Sequence, residues 1–218
     1  MQRQVQFIPN EYYHVYNRGV DKRKIFFSDG DWKYFQRLLY IRNDAEGHIR
    51  PERVKNLTLQ EIQIDRPLVH IQAYCLMPNH FHLLLSEIEE GGISTYMRRL
   101  LTSYSMYMNK KYNRTGPLMC RPFRAKHINS DAYMRWVISY IHLNPIEKVA
   151  PDWEQGGAIV NTGMEQCVKE YRYSSYLDYY VSERDETSIL NKQSLPFFIN
   201  DLESVQNLLS RYQENPIP

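Results

Sequence analysis

One predicted hairpin constrains the fold of this chain more than any other feature. Two apolar runs of strand length, residues 68–77 and 80–86, are separated only by Pro78-Asn79, which favours a tight turn between antiparallel strands. The second run begins with His80-Phe81-His82. Because side chains alternate between the two faces of a strand, both histidines would lie on one face while Phe81 enters a core on the other.

Two imidazoles on one face of a strand can bind a single divalent cation. His80 and His82 would leave other coordination positions open for water or a phosphate oxygen, as in a catalytic metal site. A motif this short also occurs on the polar face of an ordinary sheet. The pair therefore needs a second feature before it indicates chemistry.

A short helix that ends in a proline supplies the second feature. Ser130 is a good N-cap, Asp131 suits the positive end of a helix, and Pro145 disfavours helical geometry at Asn144. Tyr140 lies four residues before Asn144, so both side chains are on one helix face about a turn apart. A phenol nucleophile and an amide oxygen could therefore face one metal ion.

The order of predicted elements indicates an α+β fold, a ferredoxin-like antiparallel sheet with helices packed on it. In this order the tyrosine helix follows the fourth strand, so it can approach the histidine strand. A polar segment between the first helix and the hairpin is predicted to be irregular, with a short helix near Leu59. The elements expected are a strand at 12–18, a helix at 29–42, strands at 68–77 and 80–86, a helix at 93–113, a strand at 124–128, and a final helix at 200–212.

The distribution of charge favours an anionic partner, although the formal net charge is only +2. Residues 93–148 hold ten basic and two acidic residues, a net charge of +8. Residues 149–218 hold five basic and eleven acidic residues, a net charge of −6. The positive charge thus surrounds the predicted site, as expected for phosphate contacts.

The cysteines and the absence of long apolar runs predict a cytoplasmic, nucleoid-associated protein. Cys75, Cys120 and Cys167 are odd in number and have no metal-binding spacing, which favours reduced thiols. No apolar run reaches the ~20 residues that span a bilayer, and the first residues lack the apolar region of a signal peptide.

Four blocks of sequence together resemble the single-tyrosine HUH transposases, the IS200-like family, and within it the REP-associated tyrosine transposases. The resemblance runs from about residue 12 to about residue 150, and a Tyr-Ser-Ser-Tyr segment at 173–176 also resembles that branch. The four blocks are Tyr13-His14-Val15-Tyr16-Asn17-Arg18-Gly19, Met77-Pro78-Asn79-His80-Phe81-His82-Leu83-Leu84, Arg121-Pro122-Phe123-Arg124-Ala125-Lys126 and Tyr140-Ile141-His142-Leu143-Asn144-Pro145.

The resemblance implies a metal-dependent transposase that cleaves and rejoins single-stranded or hairpin DNA through a 5'-phosphotyrosine intermediate. It implies Tyr140 as the nucleophile and His80, His82 and Asn144 as metal ligands, although some relatives carry Gln at the last position. It also implies a homodimer. Chemistry on phosphate oxygens favours Mg²⁺ or Mn²⁺ as the metal, and softer first-row ions would bind two imidazoles as well. The division expected is a catalytic domain at 1–150 and a C-terminal extension at 151–218 that wraps on it.

Basic residues in or beside these blocks are the expected DNA contacts: Arg18, Arg98, Arg121, Arg124 and Lys126. Two other functions stay open. One is a ferredoxin-like module that binds nucleic acid without chemistry, and the other is a metal phosphodiesterase in which water attacks. The group that accepts the proton of Tyr140 is not identified, since His142 faces nearly the opposite side of the helix.

Overall fold

The protein is described by a computed structural model that covers residues 5–155, 161–195 and 204–214. Its centre is a four-stranded antiparallel sheet with the strand order β2-β3-β1-β4. The strands are β1 (Tyr12–Arg18), β2 (Val69–Met77), β3 (His80–Glu87) and β4 (Arg124–Ile128). This order, with helices between β1 and β2 and between β3 and β4, is the ferredoxin-like topology and confirms the predicted fold class.

Seven α-helices surround the sheet within the described residues. They are α1 (Asp29–Ile41), α2 (Pro51–Val54), α3 (Gly92–Lys111), α4 (Asp131–Leu143), α5 (Thr162–Glu170), α6 (Tyr176–Tyr180) and α7 (Val205–Glu214). Short 3-10 turns link several of them, at Val20–Lys22, Asn144–Lys148, Trp153–Gln155, Asp185–Ile189 and Lys192–Ser194. None of the helices in the described ranges is long and apolar enough to cross a membrane.

Local sequence explains where the central helices begin and end. The Ser130 hydroxyl accepts a hydrogen bond from the Tyr133 amide and caps α4, as predicted. The Asp31 carboxylate accepts bonds from the Phe27 and Ser28 amides at the start of α1. Gly91 precedes α3 with a φ of 82°, a left-handed conformation that favours glycine.

Each face of the sheet is covered by a different set of helices. On one face, Val15, Phe81 and Leu83 pack against α1 and α3, where Leu38 and Leu100 are fully buried. The opposite face contributes Cys75 and Leu84 to a second core, which also includes Val137 and Ile141 of α4 and apolar residues of α5, α6 and α7. The alternation of β3 therefore places Phe81 in the first core and the two histidines beside α4 on the second face.

The C-terminal segment also covers the open edge of β2. The amide of Leu76 donates to the Tyr173 carbonyl, and the amide of Ser175 donates to the Tyr74 carbonyl, each at 2.9 Å. Backbone groups of an edge strand otherwise remain unpaired. Residues 173–175 thus pair with the edge of the sheet, and the division into a domain at 1–150 and an extension at 151–218 stays a prediction.

Three predictions about elements differ from the structure. The short helix of the irregular segment lies at Pro51–Val54 and not near Leu59, because proline favours the first helical position while the Leu59 amide is held by the Asp185 carboxylate at 2.8 Å. α3 ends at Lys111, two residues before the predicted end. The last helix begins at Val205; residues 200–203 of the prediction lie outside the described ranges.

Candidate active site

The register of the sheet arranges the candidate residues in rows on the face that α4 covers. His80 pairs with Arg18, and His82 pairs with Tyr16 on β1. Tyr16 pairs in turn with Arg124 of β4. Directly paired residues of an antiparallel sheet share a face, so the two histidines and two of the predicted arginines occupy one surface.

His80 meets the end of the tyrosine helix at a point where two acceptor atoms face each other. The Nδ2 of Asn144 donates to the Tyr140 carbonyl at 3.0 Å, which directs its Oδ1 toward His80. The Oδ1 of Asn79 lies 2.7 Å from His80 Nδ1 and its Nδ2 donates to the Lys22 carbonyl, so His80 Nδ1 carries the proton. The Nε2 of neutral His80 then faces Asn144 Oδ1 at 3.1 Å.

Such a pair of acceptors fits a bound cation. Burial lowers the pKa of His80, although Asn144 and Glu147 raise it, and this keeps the imidazole neutral at pH 7. Two ligands that are about 2.1 Å from one metal ion and adjacent in its coordination shell lie about 3 Å apart. The separation of His80 Nε2 and Asn144 Oδ1 agrees with that value. Glu147 Oε2 is 3.9 Å from the same nitrogen.

His82 is oriented by a second histidine that the sequence did not indicate as part of the site. His82 Nδ1 lies 2.8 Å from Nε2 of the buried His14. Burial lowers the pKa of His82, and the neighbouring His14 and His80 lower it further. When His82 donates its Nδ1–H to His14, the Nε2 lone pair of His82 is available to a metal ion.

The three proposed ligands combine imidazole with amide oxygen. Within the ranges that the structure describes, no group of three or more His, Cys, Asp and Glu side chains is arranged to hold a metal ion. The third donor at this site is Asn144, which is not one of those residue types. His80, His82 and Asn144 therefore fit a hard divalent ion that keeps other positions for oxygen ligands.

Tyr140 lies beside the histidines and within a group of aromatic rings. Its ring meets that of His82 edge-on, with centroids 5.1 Å apart and an interplanar angle of 85°. The ring of Trp136 is parallel to it at 5.2 Å, and Trp153 and Tyr212 each lie 6.1 Å away. The convergence of helix and strand thus brings the Tyr140 ring to the imidazoles of His82 and His14.

The surroundings of the Tyr140 hydroxyl favour its neutral form. Burial raises the pKa of Tyr140, the Glu154 charge raises it further, and a hydrogen bond from Asn144 lowers it. Burial also raises the pKa of Glu154, while its hydrogen bond with Tyr140 lowers it. At pH 7 the phenol is neutral, and it must lose its proton before or during any attack on phosphorus.

His142 has no part in this site. It is fully buried, its Nε2 lies 2.9 Å from the Ser175 hydroxyl, and burial lowers its pKa to about 3. This agrees with the expectation that it faces away from Tyr140.

The five predicted DNA contacts divide into two groups. The first group is exposed on or beside the sheet face that carries His80 and His82, which we call the histidine face, and consists of Arg18, Arg124 and Lys126. Burial lowers the pKa of His14, and the charge of Lys126 lowers it further. Arg98 and Arg121 instead line a groove of about 620 Å³ between α3 and residues 118–123.

Arg99, the neighbour of Arg98 on α3, serves a structural role. Its two terminal nitrogens donate to the carbonyls of Asp44 at 2.6 Å and Ala45 at 3.1 Å. The contact fastens the loop before β2 to α3, so only Arg98 of this arginine pair is exposed.

Sequence reasoning missed His14, Asn79, Glu147 and Glu154. A signal existed for His14, since the alternation of β1 and an antiparallel pairing with β3 place it on the histidine face. Asn79 stands next to His80 in the turn. The position of Glu154 depends on how the chain folds back after Pro145, for which the sequence has no local signal.

Comparison with known proteins agrees with this arrangement. Residues 52–144 match the family model described as "Transposase IS200 like", a range that contains His80, His82, Tyr140 and Asn144. This range of the chain is therefore similar to the IS200-like transposases, in agreement with the resemblance found in its sequence. A comparison with curated proteins found no significant match.

A solved structure has the same fold. It is described as "Structure of the REP associates tyrosine transposase bound to a REP hairpin" and is similar with a TM-score of 0.53. The similarity covers 82% of this chain and 84% of that chain at 14% sequence identity. Because the covered share extends beyond residue 144, the C-terminal part of the chain contributes to the likeness as well.

Proposed function

We propose that this protein, whose residues 52–144 are similar to the IS200-like transposases, cleaves and rejoins single-stranded DNA through a covalent bond to Tyr140. The observation that carries the proposal is the convergence of Tyr140 with His80, His82 and Asn144 on one face of the sheet. One strand, β3, and the end of helix α4, distant from it in sequence, supply these groups. A binding module without chemistry would not require a phenol beside two imidazoles whose other nitrogens are already engaged.

A divalent metal ion is the cofactor that this donor set supports, with His80 Nε2, His82 Nε2 and Asn144 Oδ1 as its protein ligands. Bound there, Mg²⁺ or Mn²⁺ would polarise the scissile phosphate and neutralise charge that develops on its oxygens. In the tautomers that donate Nδ1–H to Asn79 and to His14, the two imidazoles leave these nitrogens unprotonated. The chain thus orients its own ligands without help from the ion.

Tyr140 supplies the nucleophile. Its oxygen forms a bond to phosphorus while the bond to the 3'-oxygen breaks, which leaves a 5'-phosphotyrosine and a free 3'-hydroxyl. The phosphodiester energy is conserved in the new bond, so rejoining needs no ATP. The parallel ring of Trp136 and the buried ring of Trp153 restrict the Tyr140 ring, which favours attack from one orientation.

The basic residues support a path for the DNA across the histidine face. Arg18, Arg124 and Lys126 can contact phosphates on either side of the scissile bond, because they lie in neighbouring positions of β1 and β4. Arg98 and Arg121 would contact DNA farther from Tyr140, in the groove beside α3. The similar solved structure binds a REP hairpin, and we infer that this chain also takes hairpin-bearing DNA.

A homodimer stays a prediction of the family resemblance, and a location in the cytoplasm with the nucleoid stays a prediction of the sequence. Light scattering of the purified protein, with and without DNA, tests the first. Fluorescence imaging of a tagged chain tests the second.

The test of the proposed function is a denaturing gel of protein incubated with labelled hairpin DNA and Mg²⁺ or Mn²⁺. Wild-type protein should retain label covalently, and Tyr140→Phe should bind the DNA but retain none. Tyr133→Phe, on the same helix, is the matched control and should behave as the wild type. Cleavage by wild type and Tyr140→Phe alike, with no adduct, would instead favour the phosphodiesterase in which water attacks.

A further inference from the structure

A surface segment with exposed basic side chains and an exposed aromatic ring lies beside the candidate active site. We propose that this segment, residues 19–28, binds the unpaired DNA strand that flanks the scissile phosphate, and that one base of the strand stacks on the Phe27 ring. The inference rests on the proposed function for its ligand, single-stranded DNA, and deepens it by naming where that strand lies. Residues 19–28 are called the basic segment below.

Backbone hydrogen bonds fasten the basic segment to the turn that precedes His80. The Gly19 amide donates to the Asn79 carbonyl, and the Ile25 amide donates to the Pro78 carbonyl, each at 2.8 Å. Because both contacts are made to the two residues between β2 and β3, the segment runs directly beside the first proposed metal ligand. A strand that leaves the metal site on this side therefore meets the segment first.

The middle of the basic segment carries a cluster of exposed cations, Lys22, Arg23 and Lys24. Arg23 is partly neutralised, because its Nη2 lies 2.9 Å from the Asp21 carboxylate. Lys22 and Lys24, on either side of Arg23, add two further exposed charges. Clustered cations attract the phosphates of nucleic acid and gain free energy from the counterions that the phosphates release. The segment thus has the charge of a path for a polyanion.

Phe27 gives the basic segment an aromatic surface that is already held in place. Its side chain is 50% exposed. Its amide donates to the Asp31 carboxylate at 2.9 Å, and its ring lies 5.0 Å from the Tyr112 ring at an interplanar angle of 50°. Asp31 is fully buried, so this anchor is firm. A ring that is ordered before the ligand arrives loses little further freedom when a base stacks on it.

The combination of cations and an exposed ring selects single-stranded nucleic acid among anionic partners. One exposed apolar side chain is ordinary, but here it stands beside three basic residues and next to a site suited to phosphate chemistry. Bases within a duplex stack on each other, whereas an unpaired base can stack on a side chain. An acidic protein segment would use the charges alone. Single-stranded DNA uses both features of the segment.

The first measurement compares the wild type and its variants in their affinity for labelled oligothymidylate, which forms no hairpin, by fluorescence anisotropy without metal ions. Phe27→Ala removes the ring, and its Kd should be about 5- to 50-fold above that of the wild type, as expected for the loss of one stacked base. Phe27→Tyr keeps the ring and should bind as the wild type does. Val181→Ala is the matched control, because Val181 is 54% exposed and lies elsewhere in the chain.

The second measurement separates stacking from other contacts of the same side chain. Phe27→Leu keeps an apolar side chain but has no flat ring, so it should lose affinity for oligothymidylate as Phe27→Ala does. Blunt-ended duplex DNA offers no free base, and it should bind the wild type and Phe27→Ala equally well.

The third measurement tests the charges of the basic segment. Lys24→Ala should lower the log–log slope of oligothymidylate affinity against salt by about 0.7. Lys169→Ala is the control, since Lys169 already pairs with Glu165 at 3.0 Å, and its slope should match the wild type. Unlabelled polyglutamate should displace oligothymidylate far less well than unlabelled oligothymidylate does, because it has no bases to stack.

The inference is overturned if Phe27→Ala binds oligothymidylate within about twofold of the wild type, since one stacked base contributes more than that. Full affinity in Phe27→Leu, or equal competition by polyglutamate, would overturn it as well. Circular dichroism checks the fold of each variant, and Phe27→Leu carries the test if Phe27→Ala does not fold. A wild type that binds through Phe27 but forms no covalent adduct would refute the proposed function and leave the binding surface. An adduct together with normal binding by Phe27→Ala would refute only the inference.

Discussion

Replacing His14 tests whether the buried histidine pair prepares His82 for a metal ion. His14→Phe keeps an aromatic ring of similar size but removes the Nε2 that lies 2.8 Å from His82 Nδ1. His14 is 5% exposed and His82 6%, so water cannot readily replace the lost partner. A buried donor left without an acceptor costs about 1–3 kcal/mol.

The same change should weaken metal binding. Without His14, the proton of His82 is free to occupy Nε2, the atom that would bind the ion. Loss of a partner that orients a metal-bound histidine typically costs 10- to 100-fold in affinity, or about 1.4–2.7 kcal/mol. We expect the Kd for Mn²⁺ to rise by that factor at pH 7.

Mn²⁺ binding is measured by electron paramagnetic resonance of the free ion, and folding by thermal denaturation in the same buffer. His127→Phe is the control, because His127 is exposed on the opposite face of β4 and pairs with Glu11. His14→Gln offers an amide oxygen in place of the imidazole nitrogen and should recover part of the affinity. An unchanged Mn²⁺ affinity in His14→Phe would show that His14 does not orient His82, and an equal loss in His127→Phe would show a nonspecific effect.

Three further predictions concern stability and DNA binding. Burial opposes ionisation of Asp31, but hydrogen bonds from Lys111 and Tyr112 outweigh it and lower the pKa of Asp31 to about 2, below its value in the unfolded chain. The ionised carboxylate therefore contributes its full share of the free energy of unfolding above about pH 4, and this share is lost as the pH falls toward 2. In urea denaturation, the free energy of unfolding of Asp31→Asn should fall less than that of the wild type between pH 4 and pH 2. Arg184→Met removes the charged partner of the buried Asp178 carboxylate, which should lower the free energy of unfolding by about 3–5 kcal/mol and Tm by roughly 10 °C. A Tm within 2 °C of the wild type would contradict this prediction. Arg124→Ala should reduce the salt dependence of single-strand binding by about 0.7 in the log–log slope, and an unchanged slope in a filter-binding titration would move the DNA path away from β4.

Most of the sheet could be predicted because its signals are local. β1 and β4 begin and end at the predicted residues, and the hairpin turns at Pro78-Asn79. In each case the alternation of apolar residues, or a turn residue, lies within the element itself. The prediction of a short helix near Leu59 was wrong because the Leu59 amide donates a hydrogen bond to Asp185, which is distant in sequence. No local pattern reveals that contact.

The candidate site was predictable to the same extent. The sequence places the four predicted site residues in two pairs. The period of a strand brings His80 and His82 to one face, and the period of a helix does the same for Tyr140 and Asn144. The residues around them depend on tertiary packing. Trp153 lies near the Tyr140 ring only because the chain folds back after Pro145, so no spacing in the sequence could have indicated that contact.

The most direct test of the central claim is to locate the covalent bond. Wild-type protein is incubated with hairpin DNA and Mn²⁺, the DNA is digested with nuclease, and the peptides are analysed by tandem mass spectrometry. We predict a nucleotide attached through its 5'-phosphate to Tyr140. A nucleotide on Tyr133, Tyr16 or any other residue, or cleaved DNA with no modified peptide, would contradict it.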